Sequence, residues 1–282
     1  MQNKVFSGNK TLNLGGRLFH LDSPKIMGIL NITPDSFFDG GRHHDEKSML
    51  RHVDKMLEEG ADFIDVGGHS SRPGAGEVPL AEELKRVVPV VNAIVKRFPE
   101  CRVSIDTFRA EVARQAFEAG AVMVNDISAG AFDGKMFGLV ARYKVPYLIM
   151  HMKGTPQTMQ SLATYDNLVK EVADYFHPKI NQLHQLGVAD VLIDPGFGFA
   201  KTIPQNFDLL RHLGHFNIFE KPLVVGLSRK SMVWKTLAVG PESALNGTTV
   251  LNTIALLKGA AILRIHDVKE AVEAVKLTNF VR

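Results

Sequence analysis

Residues 27–41, MGILNITPDSFFDGG, join an apolar run to a polar loop. The apolar run from Ile26 to Leu30 stops at Asn31, and Thr, Pro, Asp, Ser and Gly dominate the loop that follows. A buried strand that ends in an amide and opens into a polar, glycine-bearing loop is typical of α/β enzymes. Taken alone, an ordinary strand-to-helix connection built of turn residues explains the stretch better. The later strands also end in polar residues, and this repetition favours a functional site over an ordinary connection.

The alternation of strand and helix continues from Lys25 to the carboxyl terminus. Predicted strands cover residues 25–31, 62–67, 102–106, 122–126, 146–151, 190–194, 222–227 and 260–265. Predicted helices cover residues 45–59, 80–98, 109–119, 133–143, 165–187, 204–213, 243–258 and 267–278. Pro89 is expected to kink or divide the second helix. Eight strand–helix units over about 255 residues predict a (β/α)₈ barrel. The alternative is a doubly wound open sheet, which usually carries a Gly-rich dinucleotide motif after its first strand, and none is present there.

Residues 1–24 predict a short β-hairpin in front of the barrel. TLNL and RLFHL are its strands, and Gly15-Gly16 forms the turn between them. Such a ribbon could close the amino-terminal end of a barrel, and we assign it no chemistry. No linker, low-complexity tract or long repeat interrupts the chain, so residues 1–282 are expected to form a single domain.

Composition and charge argue against several classes of function. Lys and Arg number 33 against 30 Asp and Glu, a net charge of +3 without basic clusters, so we expect no nucleic-acid partner. No signal peptide and no apolar run of membrane-spanning length are evident, which predicts a soluble, cytoplasmic protein without a membrane partner. Cys101 is the single cysteine, and its place before an apolar strand predicts a buried, unreactive thiol.

The carboxyl ends of all eight strands of a barrel meet on one face, where active sites form. Every predicted strand of this chain ends in polar or small residues. They are Asn31, Gly67 to Arg72, Asp106-Thr107, Asn125-Asp126, His151, Asp194 to Gly196, Ser228 to Ser231, and Arg264 to His266. Chance supplies some of these, but a set this complete indicates a ligand site. For Asp126 alone, a structural hydrogen-bonding role is the better expectation.

One group of these residues suits a heterocyclic ligand. Asp106, Asn125 and Asp194 offer carboxylate and amide oxygens that match the donor edge of an aminopyrimidine-like ring. Lys230 can donate to a carbonyl oxygen or ring nitrogen of the same ligand. A Schiff base on Lys230 is the less favoured alternative.

A second group suits an anion. Arg264 and His266, with Asn31 and the Ser71-Arg72 pair, fit a diphosphate. Asn31 together with phosphate oxygens also fits Mg²⁺, which keeps most of its waters and takes few protein ligands. No serine nucleophile with a matching His and Asp pair stands out. We therefore predict a substitution in which a diphosphate leaves with the help of a metal and cationic side chains.

A series of motifs from about residue 25 onward resembles, in order and spacing, the signature of the dihydropteroate synthase family. The motifs are Asn31 to Phe37; Gly67-Gly68; Ser71 to Gly74; Ser104 to Thr107; Asn125-Asp126; His151-Met152 with Gly154 to Pro156; Asp194 to Gly196 with Lys201-Thr202; Ser228 to Ser231; and Arg264 to Val268. Each motif alone is a weak signal, whereas the whole set in register is highly specific.

The resemblance implies a reaction as well as a fold. The family joins 6-hydroxymethyl-7,8-dihydropterin diphosphate to p-aminobenzoate, releases pyrophosphate and forms 7,8-dihydropteroate in folate biosynthesis. A (β/α)₈ barrel, Mg²⁺ as cofactor, sensitivity to sulfonamides and usually a homodimer are implied with it. The implied path is dissociative: a pterin carbocation, stabilised in part by Asp106, is captured by the aniline nitrogen.

The resemblance also implies roles for individual residues. The implied pterin contacts are Asp106, Asn125, Met150, Asp194, Gly226, Lys230 and Arg264. The implied diphosphate contacts are Asn31, Ser71, Arg72, Arg264 and His266, with Asn31 also reaching the metal. The implied p-aminobenzoate contacts are Phe37, Ser71, Arg72, Pro73, Phe199, Lys230 and Ser231. The implied catalytic residues are Asp106 and Lys230, with Asp39 and Arg72 ordering the first two loops over the leaving pyrophosphate.

Two departures from the family pattern bear on the site. The family commonly has Glu-Ser-Thr-Arg-Pro after the second strand, where this chain has His69-Ser70-Ser71-Arg72-Pro73. The changes remove a negative charge and a methyl group, so we expect p-aminobenzoate packing and sulfonamide sensitivity to differ. Ala200 stands where the family often has glycine, and alanine is tolerable there unless the backbone is left-handed.

Two other functions are alternatives at this point. A methyltetrahydrofolate-dependent methyltransferase domain would keep the pterin contacts, but it needs no diphosphate group, so Arg264, His266 and the Phe37 loop argue against it. A catalytically silent pterin binder would keep the pocket and lose the first two loops, where His69 and Ser71 already depart from the pattern.

Overall fold

Eight parallel strands pair in sequence and close into a barrel, which confirms the predicted (β/α)₈ architecture. The structure is a computed structural model that describes residues 11–32, 42–69, 76 and 78–281, with the backbone alone for residues 42–45. The barrel strands are β3 (Lys25–Asn31), β4 (Phe63–Gly67), β5 (Val103–Asp106), β6 (Met123–Asp126), β7 (Tyr147–Met150), β8 (Val191–Asp194), β9 (Leu223–Val225) and β10 (Ala260–Ile265). Strand β10 completes the ring because it pairs with both β9 and β3.

Helices surround the barrel and cover the outward-facing strand residues. They are α1 (Arg42–Glu58), α2 (Leu80–Arg97), α3 (Ala110–Glu118), α4 (Met136–Tyr143), α5 (Leu168–Gln185), α6 (Ile203–Arg211), α7 (Ser231–Trp234), α8 (Leu245–Leu257) and α9 (Val268–Thr278). The short α7 was not predicted. Helix α2 runs through Pro89 without a break, so the predicted division does not occur. Val87, Val91 and Ile94 are buried against the barrel, and this packing outweighs the hydrogen bond that proline cannot donate.

Every second side chain of a strand points into the barrel. Two such positions on each strand give the barrel interior two layers. The lower layer is apolar and contains Met27, Phe63, Met123, Leu148, Leu192, Val224 and Ile262. Two positions further along the same strands, the inward residues include Asp65, Asn125, Met150, Asp194, Gly226 and Arg264. The polar side chains therefore lie together at the carboxyl ends of the strands, above the buried apolar layer.

A hairpin closes the amino-terminal end of the barrel. Strands β1 (Thr11–Leu14) and β2 (Arg17–His20) pair antiparallel. Leu12 and Leu14 pack into the lower layer of the barrel. The backbone N–H of Asn13 donates to Oδ2 of Asp190 at 2.7 Å, which ties the hairpin to the loop before β8. The predicted hairpin and its closing role are thus confirmed for the part that the structure describes.

Two expectations from composition can be checked against this fold. Cys101 is partly exposed rather than buried as predicted. Partial burial still raises the pKa of its thiol to about 12, so the thiol stays protonated at neutral pH, in agreement with an unreactive cysteine. Within the described ranges, no helix combines the length and the apolar character needed to span a lipid bilayer.

Truncation of the hairpin should destabilise the barrel. Leu12→Ala removes a side chain that is 1% exposed, so the free energy of unfolding in urea should fall by about 2–4 kcal/mol. Leu18→Ala is the matched control, since Leu18 lies on the same hairpin and is 70% exposed. The control should change the free energy by less than about 0.5 kcal/mol. Equal losses from the two variants would contradict a closing role for the hairpin.

Candidate active site

Arg264 lies at the centre of the polar layer and binds two carboxylates. Its Nε donates to Oδ2 of Asp65 at 2.6 Å, and its Nη2 donates to Oδ2 of Asp106 at 2.6 Å. The amide of Asn125 donates to the same Asp65 oxygen at 3.0 Å. The structure thus brings three predicted residues, Asp106, Asn125 and Arg264, into one network with a fourth side chain that was not predicted.

Asp65 is the site residue that sequence reasoning missed. It lies inside strand β4 rather than at its end, so a search of strand ends passes over it. Its side chain is fully buried, and among the described residues none donates to its other carboxylate oxygen. A lone carboxylate inside the otherwise apolar run FIDVG was the available signal, because a buried charge needs a partner.

The charges in this network change the pKa of Asp106. Burial raises the pKa of the Asp106 carboxyl to about 7; Arg264 opposes the shift, and the carboxylates of Asp65 and Glu83 add to it. For Arg264, burial alone lowers the pKa, but Asp65 and Asp106 hold it above its ordinary value. Asp106 therefore changes charge near neutral pH, while Arg264 remains a cation.

Lys230 and Asp194 form a second pair of opposite charges. Lys230 directly precedes α7, its Nζ donates to the carbonyl of Phe197, and Nζ lies 4.8 Å from the centre of the Phe199 ring. Burial lowers the pKa of Lys230 to about 8, and Asp194 opposes that shift. Burial raises the pKa of Asp194, and Lys230 opposes it in turn. The charge of each group lowers the cost of burying the other.

Small and apolar residues border these charges. A Cβ atom placed on Gly226 would lie 3.9 Å from Nζ of Lys230 and 4.0 Å from Cβ of Arg264, so glycine leaves room beside both cations. Met150 belongs to an apolar cluster that Phe199 packs against. Gly226, Met150 and Phe199, all predicted contacts, therefore lie beside the charged side chains of the polar layer.

Three further predicted residues, Asn31, Ser231 and His266, lie at the rim of the barrel. Oγ of Ser228 lies 2.9 Å from Nδ1 of His266 and accepts the His266 backbone N–H at 3.1 Å, which orients the exposed imidazole. Ser231 is exposed at the first turn of α7. Asn31 ends strand β3, in register with Gly67 of β4.

Comparison with known proteins identifies the family. A model of pterin-binding enzymes matches residues 27–266. Dihydropteroate synthase of Escherichia coli K12 is 46% identical over 266 residues, which are 94% of each chain. The chain belongs to the dihydropteroate synthase family. The Yersinia pestis dihydropteroate synthase, solved with a sulfonamide drug complex, has a TM-score of 0.90 and 43% identity over 96% of this chain and 99% of its own. A Xanthomonas albilineans dihydropteroate synthase with 4-aminobenzoic acid has a TM-score of 0.89 and 39% identity over 96% and 98%.

The family membership predicted from the motifs is thereby confirmed, and the methyltransferase alternative is disfavoured. The roles assigned to all of the site residues stay predictions, and five residues with predicted roles lie outside the described part of the chain. They are Phe37, Asp39, Ser71, Arg72 and Pro73.

Asp126 has the structural role expected of it. Its carboxylate accepts from the Tyr147 hydroxyl at 2.6 Å, from the backbone and hydroxyl of Ser128 at 2.7 Å each, and from the backbone of Gly130 at 2.8 Å. These bonds hold the turn after β6, and they explain why the family motif pairs Asn125, which faces the site, with a buried aspartate that does not.

Removing the negative charge of Asp65 should lower the pKa of Asp106. Asp65→Asn deletes one carboxylate that raises this pKa and leaves Arg264 with Asp106 as its charged partner, so the pKa should fall below about 7. A ¹³C NMR titration of the Asp106 carboxyl measures the shift. Asp174→Asn, on the exposed face of α5, is the control and should leave it unchanged. An unchanged or higher pKa in Asp65→Asn would refute the assigned coupling.

Proposed function

We propose that this chain catalyses the dihydropteroate synthase reaction. It would join 6-hydroxymethyl-7,8-dihydropterin diphosphate to p-aminobenzoate and release pyrophosphate and 7,8-dihydropteroate. The observation that carries the proposal is the largely buried network of Arg264 with Asp65, Asp106 and Asn125, at the face of the barrel where strand ends meet. The family relationship supports the same conclusion, since the similar Xanthomonas enzyme was solved with 4-aminobenzoic acid.

The pterin would bind against the polar layer. The carboxylate of Asp194 and the amide of Asn125 suit the amino and ring N–H groups of a pterin, and Lys230 suits its carbonyl oxygen. Asp65 fixes the orientation of the Asn125 amide, because it accepts one of the Nδ2 hydrogens. Gly226 and Met150 would leave a flat space for the ring between them.

The bond to the diphosphate would break with both electrons leaving on the pyrophosphate oxygen. The methylene carbon becomes cationic, and the Asp106 carboxylate would stabilise that charge. Arg264 and His266, with Asn31, would bind the departing anion. The aniline nitrogen of p-aminobenzoate then forms the new C–N bond and loses a proton to solvent. The Phe199 ring, Lys230 and Ser231 would position that substrate.

We propose that Mg²⁺ binds at this site together with the diphosphate. Over the described ranges, no cluster of three or more His, Cys, Asp or Glu side chains could hold a metal ion. Asn31 would supply one neutral amide oxygen, and phosphate oxygens and waters would supply the rest, as Mg²⁺ commonly accepts. When bound, the metal would neutralise charge on the leaving pyrophosphate.

We further propose that the chain is a single domain, works in the cytoplasm and pairs into a homodimer through α8 and α9. Val250, Ile254 and Leu257 recur along one face of α8, and Val250 and Leu257 are 51% and 52% exposed. Leu277 on the adjacent α9 is 71% exposed. Exposed apolar residues on neighbouring helices favour burial against a second copy.

The reaction is tested by measuring pyrophosphate and dihydropteroate together, with and without p-aminobenzoate, in Mg²⁺ and after chelation by EDTA. Matched formation of both products that depends on Mg²⁺ is expected. Asp106→Ala should lower turnover at least about 100-fold, because the cation loses its carboxylate, while Asp174→Ala should not. Pterin binding without product would indicate the silent binder, and no pterin binding would refute the proposal.

The dimer is tested by sedimentation velocity of the purified chain. The wild type should sediment as a dimer, and Val250→Glu with Leu257→Glu should give a folded monomer, because two charges would be buried in the interface. Leu162→Glu, at a side chain that is 42% exposed elsewhere on the surface, should remain dimeric. A monomeric wild type would refute the homodimer.

A further inference from the structure

The loop from Pro195 to Thr202 links strand β8 to helix α6 and carries two contacts of Lys230. The Phe197 carbonyl accepts from Nζ of Lys230, and the Phe199 ring lies beside the same ammonium. The position of this loop therefore decides how Lys230 and the aromatic ring face each other at the mouth of the barrel.

The backbone of the loop is held in a disfavoured conformation. Gly196, Gly198 and Ala200 have φ angles of 75°, 80° and 48°, all left-handed. A Cβ atom on Gly196 would lie 2.0 Å from the carbonyl oxygen of His151, so only glycine fits there. Ala200 has no such freedom, because an L-residue with a Cβ is strained in this region. Alanine was expected to be tolerable here unless the backbone is left-handed, and the backbone is left-handed. Other contacts must therefore stabilise this conformation of Ala200.

Lys201 supplies the restraint from inside the protein. Its side chain is buried, and its Nζ lies 2.9 Å from Nδ1 of His151, 2.9 Å from the Gly196 carbonyl and 3.0 Å from the Phe199 carbonyl. Burial and the nearby Lys201 lower the pKa of His151 to about 2, so the imidazole is neutral and can accept. Three acceptors use all three N–H groups of an ammonium.

Through Lys201, these contacts connect the Gly196 and Phe199 carbonyls of the loop to His151, the residue after strand β7. Gly196 lies before Ala200, and Phe199 directly precedes it, while His151 follows β7. From the other side, Oδ1 of Asn206 accepts the Gly198 N–H at 2.6 Å. Because its N–H groups are used within the protein, Lys201 acts on a ligand only through the loop that it holds.

We propose that Lys201 is a positioning residue that holds the 195–202 loop and thereby sets the affinity for the aryl amine substrate. The inference rests on the proposed function, in which Phe199 and Lys230 position p-aminobenzoate. The proposed pterin contacts Asp106, Asn125 and Arg264 lie on the strands. Phe199, which is proposed to contact p-aminobenzoate alone, lies on this loop, so a displaced loop should affect p-aminobenzoate more than the pterin. A buried lysine of purely structural importance would affect both substrates equally.

The test is steady-state kinetics of Lys201→Met with each substrate varied in turn. Burial lowers the pKa of Lys201 to about 7, with Asp194 opposing, so the assay is run at about pH 6.5, where the ammonium form predominates. The KM for p-aminobenzoate should rise about tenfold or more, whereas the KM and the directly measured Kd for the pterin diphosphate should rise by a smaller factor of about threefold or less, because Asn125 and Arg264 still hold the pterin from the strands. Lys170→Met is the control, since Nζ of Lys170 donates to Asp174 on the exposed face of α5, and it should leave both KM values within about twofold.

A second change tests the link to the backbone. Glycine tolerates the left-handed conformation without a restraint, so Ala200→Gly added to Lys201→Met should recover most of the lost p-aminobenzoate affinity. Recovery smaller than about twofold would overturn the proposed route through the loop.

Should Lys201→Met fail to fold, Lys201→Arg replaces it, because a planar guanidinium cannot place single donors on the same three acceptors. The same split between the two KM values is expected. Equal changes for both substrates, or an unchanged KM for p-aminobenzoate in a folded variant, would overturn the inference. A wild-type chain that forms no product would instead refute the proposed function, so the two failures are distinct.

Discussion

The Arg264 guanidinium, held between the carboxylates of Asp65 and Asp106, is the interaction on which the site depends. Three charges buried in a barrel would each be costly alone, and their mutual hydrogen bonds offset that cost. Hydrogen bonds within the protein hold this arrangement, so a positive charge that develops on the substrate would meet a carboxylate that is already positioned. The same arrangement raises the pKa of the Asp106 carboxyl to about 7.

The apolar layer beneath these charges strengthens the electrostatic interactions between them. Met27, Phe63 and their neighbours exclude water from the barrel floor, and Leu12 of the hairpin seals the end below them. Electrostatic interactions are stronger in such a medium than in water. A defect at the closed end of the barrel would therefore let water reach this apolar layer and weaken the electrostatic interactions above it.

The loops contribute differently from the strands. Strand residues such as Asn125 and Asp194 are positioned by the hydrogen-bonded ladder of the barrel, whereas Phe199 and Lys230 depend on short segments with left-handed residues. Arg229, also left-handed, binds Asp267 through Nε at 3.0 Å and Nη2 at 2.7 Å and so anchors the segment that presents Lys230. Side-chain clamps of this kind compensate for backbone strain at functional sites.

By itself, the sequence determined the eight-fold alternation, the hairpin, the family and most of the strand-end residues of the site. Hydrophobic periodicity and local motifs carry that information, because each depends on neighbours in the chain. Only the tertiary structure showed that Asp65 is a partner of Arg264. The two residues are 199 apart in the chain, and their side chains meet inside the barrel, across β3, only when the barrel closes. The tertiary structure also decided that Ala200 is left-handed and that Lys201 holds it, because both follow from contacts between β7 and the loop after β8.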